Sequence, residues 1–108
     1  MQNTTYTYLV AGEPVSTYAL VEDTTQPRTA IVCNLDVPEE LRRRGFGSDA
    51  MRDAESKAKG YGSDRIRLEA GAMSWKRRWY ARMGYQPLPV GTPVMWKHPF
   101  YIWMEKAI

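Results

Sequence analysis

Hydrophobic and polar side chains alternate through the first third of the chain, and the alternation predicts strands. In Tyr6-Thr7-Tyr8-Leu9-Val10 the bulky residues fall on every second position, and Gly12-Glu13-Pro14 supplies a turn. Val15 to Val21 is a second run rich in β-branched and aromatic residues. After the polar break from Asp23 to Pro27 comes the clearest strand, in which Ile31, Cys33, Leu35 and Val37 alternate with Val32, Asn34 and Asp36. Its odd-numbered face is wholly apolar and is expected to pack on helices. Three strands with short turns predict an antiparallel meander.

Beyond Pro38 the period changes. Apolar residues at 46, 50, 51, 54 and 58 have helical spacing, with Arg52, Asp53, Glu55 and Lys59 on the other face and Gly60 and Gly62 at the end. Arg65 to Ala70 alternates again, placing Ile66, Leu68 and Ala70 on one face of a strand. A second helix is expected from about Ser74 to Met83, with Trp75, Trp79 and Met83 as its apolar stripe and Gly84 as its stop. Residues 86–99 hold four prolines and predict loop, with a short strand near Val94 to Lys97; Phe100 to Lys106 is the last strand. The order β-β-β-α-β-α-β is an α/β layer architecture.

Composition narrows the class. A chain of 108 residues makes one domain, residues 1–108. With 44% hydrophobic and 12% aromatic residues it has the apolar surface that disorder lacks. No apolar run approaches the ~20 residues that cross a bilayer, and no leader-like start is visible. The single cysteine fits a reducing compartment and excludes a zinc site of several thiolates. A cytoplasmic protein without membrane or metal is the expectation.

Charge is unevenly placed. Residues 1–40 carry one cation, Arg28, against six anions, whereas residues 41–108 carry fourteen cations against six anions. A cationic half implies an anionic ligand: nucleic acid, membrane or a phosphorylated cofactor. Its densest stretch is Arg42-Arg43-Arg44-Gly45-Phe46-Gly47-Ser48, between a strand and a helix. Helix N-termini present unpaired N–H groups and partial positive charge, and glycines let a pyrophosphate approach the backbone. Read alone, the stretch is equally a solvated basic loop. The Gly-Lys-Ser/Thr ending of a P-loop and the Rossmann G-x-G-x-x-G order are both missing.

These residues resemble the GNAT superfamily of acetyl-CoA-dependent N-acetyltransferases, whose signature is Gln/Arg-x-x-Gly-x-Gly/Ala at a helix start. Here it is Arg42-Arg43-Arg44-Gly45-Phe46-Gly47, preceded by the family-like Val37-Pro38-Glu39-Glu40. A second family element, aromatic-Tyr-x-x-x-Gly-aromatic, stands at Trp79-Tyr80-Ala81-Arg82-Met83-Gly84-Tyr85, and Tyr101 to Lys106 is similar to the family's last strand. The likeness covers roughly residues 15–108. It implies a GNAT-like fold: a central, mostly antiparallel sheet with two helices packed on it. There are departures. Residues 1–30 offer no counterpart of the two helices that usually wall the acceptor site. Met73 and Lys76 stand where Asn and Ala are frequent, and the central strand lacks the glutamate that some members use as base.

The resemblance implies acetyl-CoA as cosubstrate and direct acetyl transfer to an amine of a small molecule or a protein. Pantetheine would meet backbone near Leu35 and Val37. Pyrophosphate would sit on Arg42, Arg43, Arg44, Gly45, Phe46, Gly47 and Ser48, with the Arg43 and Arg44 side chains as donors. Tyr80 would protonate the leaving thiolate; otherwise it is a core aromatic. Lys76, one helical turn before it, either lowers the phenol pKa or lays its stem along Trp79. Glu69 is taken as base, with Asp36 or Asn34 through water as alternatives, although its alternation places it on an outward, solvated face. Cys33 reads as a core thiol, and His98 as an exposed residue without catalytic duty. Arg77, Arg78 and Arg82 make a solvated face or a contact for phosphate, an acidic partner or nucleic acid. The Met- and Trp-rich stretch Val94 to Met104 suggests a partner surface or acceptor pocket. A GNAT-fold binding module, such as a phage could direct at a host protein, is the second reading. The expected state is a monomer or homodimer, and nucleic acid ranks behind both readings.

Overall fold

The computed structural model describes residues 3–108. The meander forms as expected from β1 (Thr4–Val10), β2 (Glu13–Glu22) and β3 (Thr29–Asp36). Ala11 and Gly12, both at positive φ, make the two-residue turn that joins β1 to β2. A single 3₁₀ turn (Glu39–Leu41) then leads to α1 (Phe46–Gly60), β4 (Arg65–Gly71), α2 (Trp75–Arg82), β5 (Gln86–Pro87) and β6 (Tyr101–Ala107). The sheet order is β1-β2-β3-β4-β6-β5. β3 and β4 run parallel and the other neighbours antiparallel, so the sheet is mostly antiparallel. Val94 to Lys97 is not a strand; the short strand lies earlier, at β5, where Gln86 and Pro87 pair with Glu105 and Met104.

The core lies between the sheet and both helices. α1 contributes Met51 and three alanines, Ala50, Ala54 and Ala58, which are small enough for close approach, against Tyr18, Leu20, Ile66, Leu68 and Ala70. α2 contributes Tyr80, with Trp79 and Met83 packed beside it. Trp75 is not part of this stripe, being 69% exposed. Eight residues allow little more than two turns, and the helix is rotated so that Tyr80 points inward.

β3 departs from its expected face. Ala30 and Val32, the even-numbered residues, join the helix-side core, and Leu35 packs there from an odd position. The change of parity is a bulge: Thr17 pairs with Asp36 but Ala19 with Cys33, and Asn34 adopts φ 55°. One extra residue on β3 flips every later side chain to the opposite face. Simple alternation hides such an insertion, because all the odd positions were apolar.

The second face of the sheet is covered by the proline-rich segment. Trp96 packs on Trp103 with ring centroids 5.4 Å apart, and the Trp103 indole N–H donates to the Trp96 carbonyl. The same segment also holds Arg67, 3% exposed, which donates to Asp23 at 3.2 Å, Glu105 at 2.8 Å and the Pro93 carbonyl at 3.1 Å. A guanidinium with these partners satisfies the requirement that buried charge be paired and hydrogen-bonded.

Candidate active site

β3 and β4 pair over Thr29–Ile31 and Arg65–Arg67, then separate. Beyond Ile31 the β3 edge toward β4 is therefore free of ladder bonds, and two cavities open along it. The first, about 710 Å³, has Leu35, Val37, Arg42, Arg43, Gly45, Phe46, Gly47 and Ser48 on one wall and Trp75, Lys76, Trp79 and Tyr80 on the other.

Its polar end is the start of α1. Gly45 takes φ 82°, and the first helical bond runs from the Asp49 amide to the Gly45 carbonyl. The Phe46, Gly47 and Ser48 amides precede it, and no side chain among the described residues caps them. Three uncapped N–H groups at the positive end of a 15-residue helix suit an anion. A Cβ on Gly45 would meet nothing within 4 Å, so the space there is open to a ligand. Gly47 has another role. A Cβ there would lie 3.1 Å from the Trp79 ring, so its bareness lets α2 close against the start of α1.

The arginines divide their work. Arg42 donates through Nε to the Val37 carbonyl at 2.9 Å, tying the loop to the end of β3. Arg43, at φ 65°, lines the cavity. Arg44 is exposed and does not line it, contrary to expectation: the left-handed residues on either side turn its side chain away from the wall.

The second cavity, about 840 Å³, lies along β3 and β4 and shares Leu35, Lys76 and Tyr80 with the first. Tyr80 is 6% exposed, so it is both a core aromatic and a wall of both cavities. Burial pushes its phenol up to about 12. The alternative in which Lys76 lowers this pKa is therefore overturned: Lys76 is exposed, and desolvation of the phenol dominates.

Glu69 stands in the second cavity, and its expected solvated setting is corrected. Its side chain is 13% exposed, covered by the segment that crosses the sheet. Oε1 accepts from the Trp96 indole at 2.5 Å and from His98 Nδ1 at 2.9 Å, while Oε2 is buried and has no hydrogen-bond partner among the described residues. His98 is thus exposed yet engaged. Cys33 lines the same cavity, half-buried, and its thiol is raised by burial and then by the Glu69 charge, which keeps it a thiol.

Comparison with known proteins resolves the family. A model of the acetyltransferase (GNAT) family matches residues 2–85. The chain belongs to the GNAT family. It is 36% identical over 69 residues to the uncharacterized N-acetyltransferase YvbK of Bacillus subtilis (strain 168), a match covering 64% of this chain and 43% of that protein. The match thus spans less than half the length of that relative. An acetyltransferase of Bacillus subtilis in complex with CoA superposes with a TM-score of 0.78 at 22% identity, over 99% of this chain and 78% of that one. A GNAT family acetyltransferase from Elizabethkingia anophelis with acetyl-CoA bound gives 0.78 at 16% identity, over 99% and 77%. Likeness at these identities establishes the GNAT fold.

Of the residues named from sequence, the GNAT fold brings Leu35, Val37, Arg42, Arg43, Gly45, Phe46, Gly47, Ser48 and Tyr80 to one cavity and Glu69 to its neighbour. Arg77, Arg78 and Arg82 are exposed on α2 and line neither cavity. Sequence reasoning missed Trp96 and His98 as partners of Glu69. The available signal was a tryptophan and the one histidine in a proline-rich segment before the last strand.

Proposed function

We propose that this GNAT chain is an acetyl-CoA-dependent N-acetyltransferase acting on an amine of a small molecule or a protein. The carrying observation is that Tyr80, a protonated phenol, lines both cavities. The cavity at the α1 N-terminus takes the cofactor, and the one over β3 and β4 takes the acceptor.

The residues fit the cofactor. Uncapped amides of Phe46, Gly47 and Ser48 with Arg43 suit a pyrophosphate, and the unpaired edge of β3 near Leu35 and Val37 suits the amide groups of pantetheine. The neutral amine attacks the thioester carbonyl, a C–N bond forms and the C–S bond breaks. Tyr80 gives its proton to the departing thiolate sulfur. Much of the rate comes from holding amine and thioester side by side. Such a protein works in the cytoplasm, as a monomer or homodimer.

A second reading, a GNAT-fold binding module, is favoured by the exposed apolar rim of Met73, Trp75, Phe100 and Tyr101. Calorimetry and melting with acetyl-CoA separate the two. An N-acetyltransferase gains about 2.7 kcal/mol at a ligand concentration one hundred times Kd. Gly47→Glu, whose carboxylate would crowd the anion site and the Trp79 ring, abolishes that gain. No binding at millimolar acetyl-CoA defeats the enzyme reading.

A further inference from the structure

Resting on the transferase reading, we propose that His98 is the base that takes the proton from the acceptor amine, with Glu69 as its positioning residue. Both line the second cavity with Tyr80. A carboxylate oxygen only accepts, so the 2.9 Å contact from Nδ1 to Glu69 Oε1 places a proton on Nδ1. In the neutral ring the lone pair then falls on the other nitrogen, Nε2, on a side chain 59% exposed.

Glu69 cannot serve in its place. Oε1 already receives the Trp96 indole and the imidazole, and Oε2 is buried out of reach of an amine nitrogen. Cys33 stays a thiol. Lys76, the remaining charged side chain of this cavity, carries an ammonium, which has three N–H donors and no acceptor. Imidazole is the side chain whose ordinary pKa lies closest to neutral, which suits a general base.

The proton balance is complete. The amine nitrogen loses one proton to His98 Nε2 as the C–N bond forms, and the thiolate gains one from Tyr80 as the C–S bond breaks. The imidazolium then releases its proton to solvent, and the Tyr80 phenolate regains one from it. Net, an amine and acetyl-CoA become an acetamide and CoA thiol. The position of His98 follows from its surroundings: the Tyr101 ring meets it edge-on at 6.1 Å, and the Arg67 bond to Pro93 ties down the segment that carries it.

The test uses 2-phenylethylamine and a lysine-containing peptide as acceptor probes, with thiol release and acetyl-CoA affinity measured on the same preparations. His98→Gln should lower kcat by about 10²-fold with acetyl-CoA affinity unchanged. In His98→Ala, added imidazole should restore turnover, because the exposed position admits it; a merely structural histidine would give no such rescue. The chain has a single histidine, so its ring nitrogens can be read by NMR without an acceptor. The expected result is the Nδ1–H tautomer in the wild type and its loss in Glu69→Ala. Wild-type turnover retained in His98→Gln, or an Nε2–H tautomer in the wild type, overturns the proposal and leaves the transferase reading intact. Failure of the wild type to bind acetyl-CoA defeats that reading first. If the wild type binds but acetylates neither probe, the tautomer decides.

Discussion

The two cavities meet at Tyr80 but are built by opposite means. The proposed cofactor side is made largely of backbone: the start of α1, the free edge of β3 and two left-handed residues, Arg43 and Gly45. The proposed acceptor side is made of side chains held across the fold. Glu69 meets Trp96 and His98, and Arg67 joins Asp23, Glu105 and the Pro93 carbonyl. A ligand common to a family suits the first construction, since amides recognise phosphate whatever the side chains are. An individual acceptor suits the second, where each position can be exchanged. Damage should therefore spread differently through the two sides.

The largest effect is expected on the acceptor side. Asp23→Ala leaves the buried Arg67 guanidinium short of a partner and should cost about 3–5 kcal/mol, read by chemical unfolding. Because Arg67 also holds the Pro93 carbonyl, the remaining folded protein should keep its acetyl-CoA affinity while losing turnover. Equal loss of both would erase the distinction between the sides. Gly47→Ala comes next. Its Cβ presses on the Trp79 ring, an overpacking that should cost about 1–3 kcal/mol and weaken acetyl-CoA binding. A smaller contrast separates neighbouring arginines. Arg43→Ala should weaken acetyl-CoA about tenfold in calorimetry, the loss of one charge-assisted contact, whereas Arg44→Ala should stay within about twofold.

That last contrast marks the limit of what was legible in the sequence. The cofactor side could be read because it is local: a strand end, a basic turn and a helix start occupy fourteen consecutive residues, Leu35 to Ser48. Which of three adjacent arginines faces the cavity depends on backbone angles that no composition reveals. The bulge at Asn34 escaped because an unbroken row of odd apolar residues looks the same with or without it. Glu69 was named, but its setting was misjudged. Its partners lie 27 and 29 residues away, in a segment without periodicity, and only the chain's return over the sheet brings them together. Trp75 was misplaced for another reason: in a two-turn helix one tyrosine rotated inward outweighs an aromatic spacing.

Alkaline pH probes the core shared by both sides. Burial raises Tyr80 and also Tyr18 and Tyr85, the latter two with further help from hydrogen bonds to Asp53 and Glu55. For each, the folded value lies above the unfolded one near 10, so the fold binds these protons more tightly. Their stabilising contribution is complete below about pH 10 and is lost as pH rises through the folded values. Melting temperature should fall from about pH 10 upward, and turnover should show no alkaline limb from Tyr80 below that point. A limb near pH 8 that vanishes in Tyr80→Phe would contradict the buried, protonated phenol.

The central claim is that Tyr80 is the proton donor where the two cavities join, and Tyr80→Phe tests it most directly. The substitution keeps the ring and its contacts with Trp79 and Tyr85 and removes only the hydroxyl. Melting temperature, acetyl-CoA affinity and turnover are measured on one preparation. The expected result is near-unchanged melting and affinity with turnover down by ~10²-fold, an interaction made chiefly in the transition state. Unchanged turnover, or a loss that merely follows the folded fraction, would contradict it.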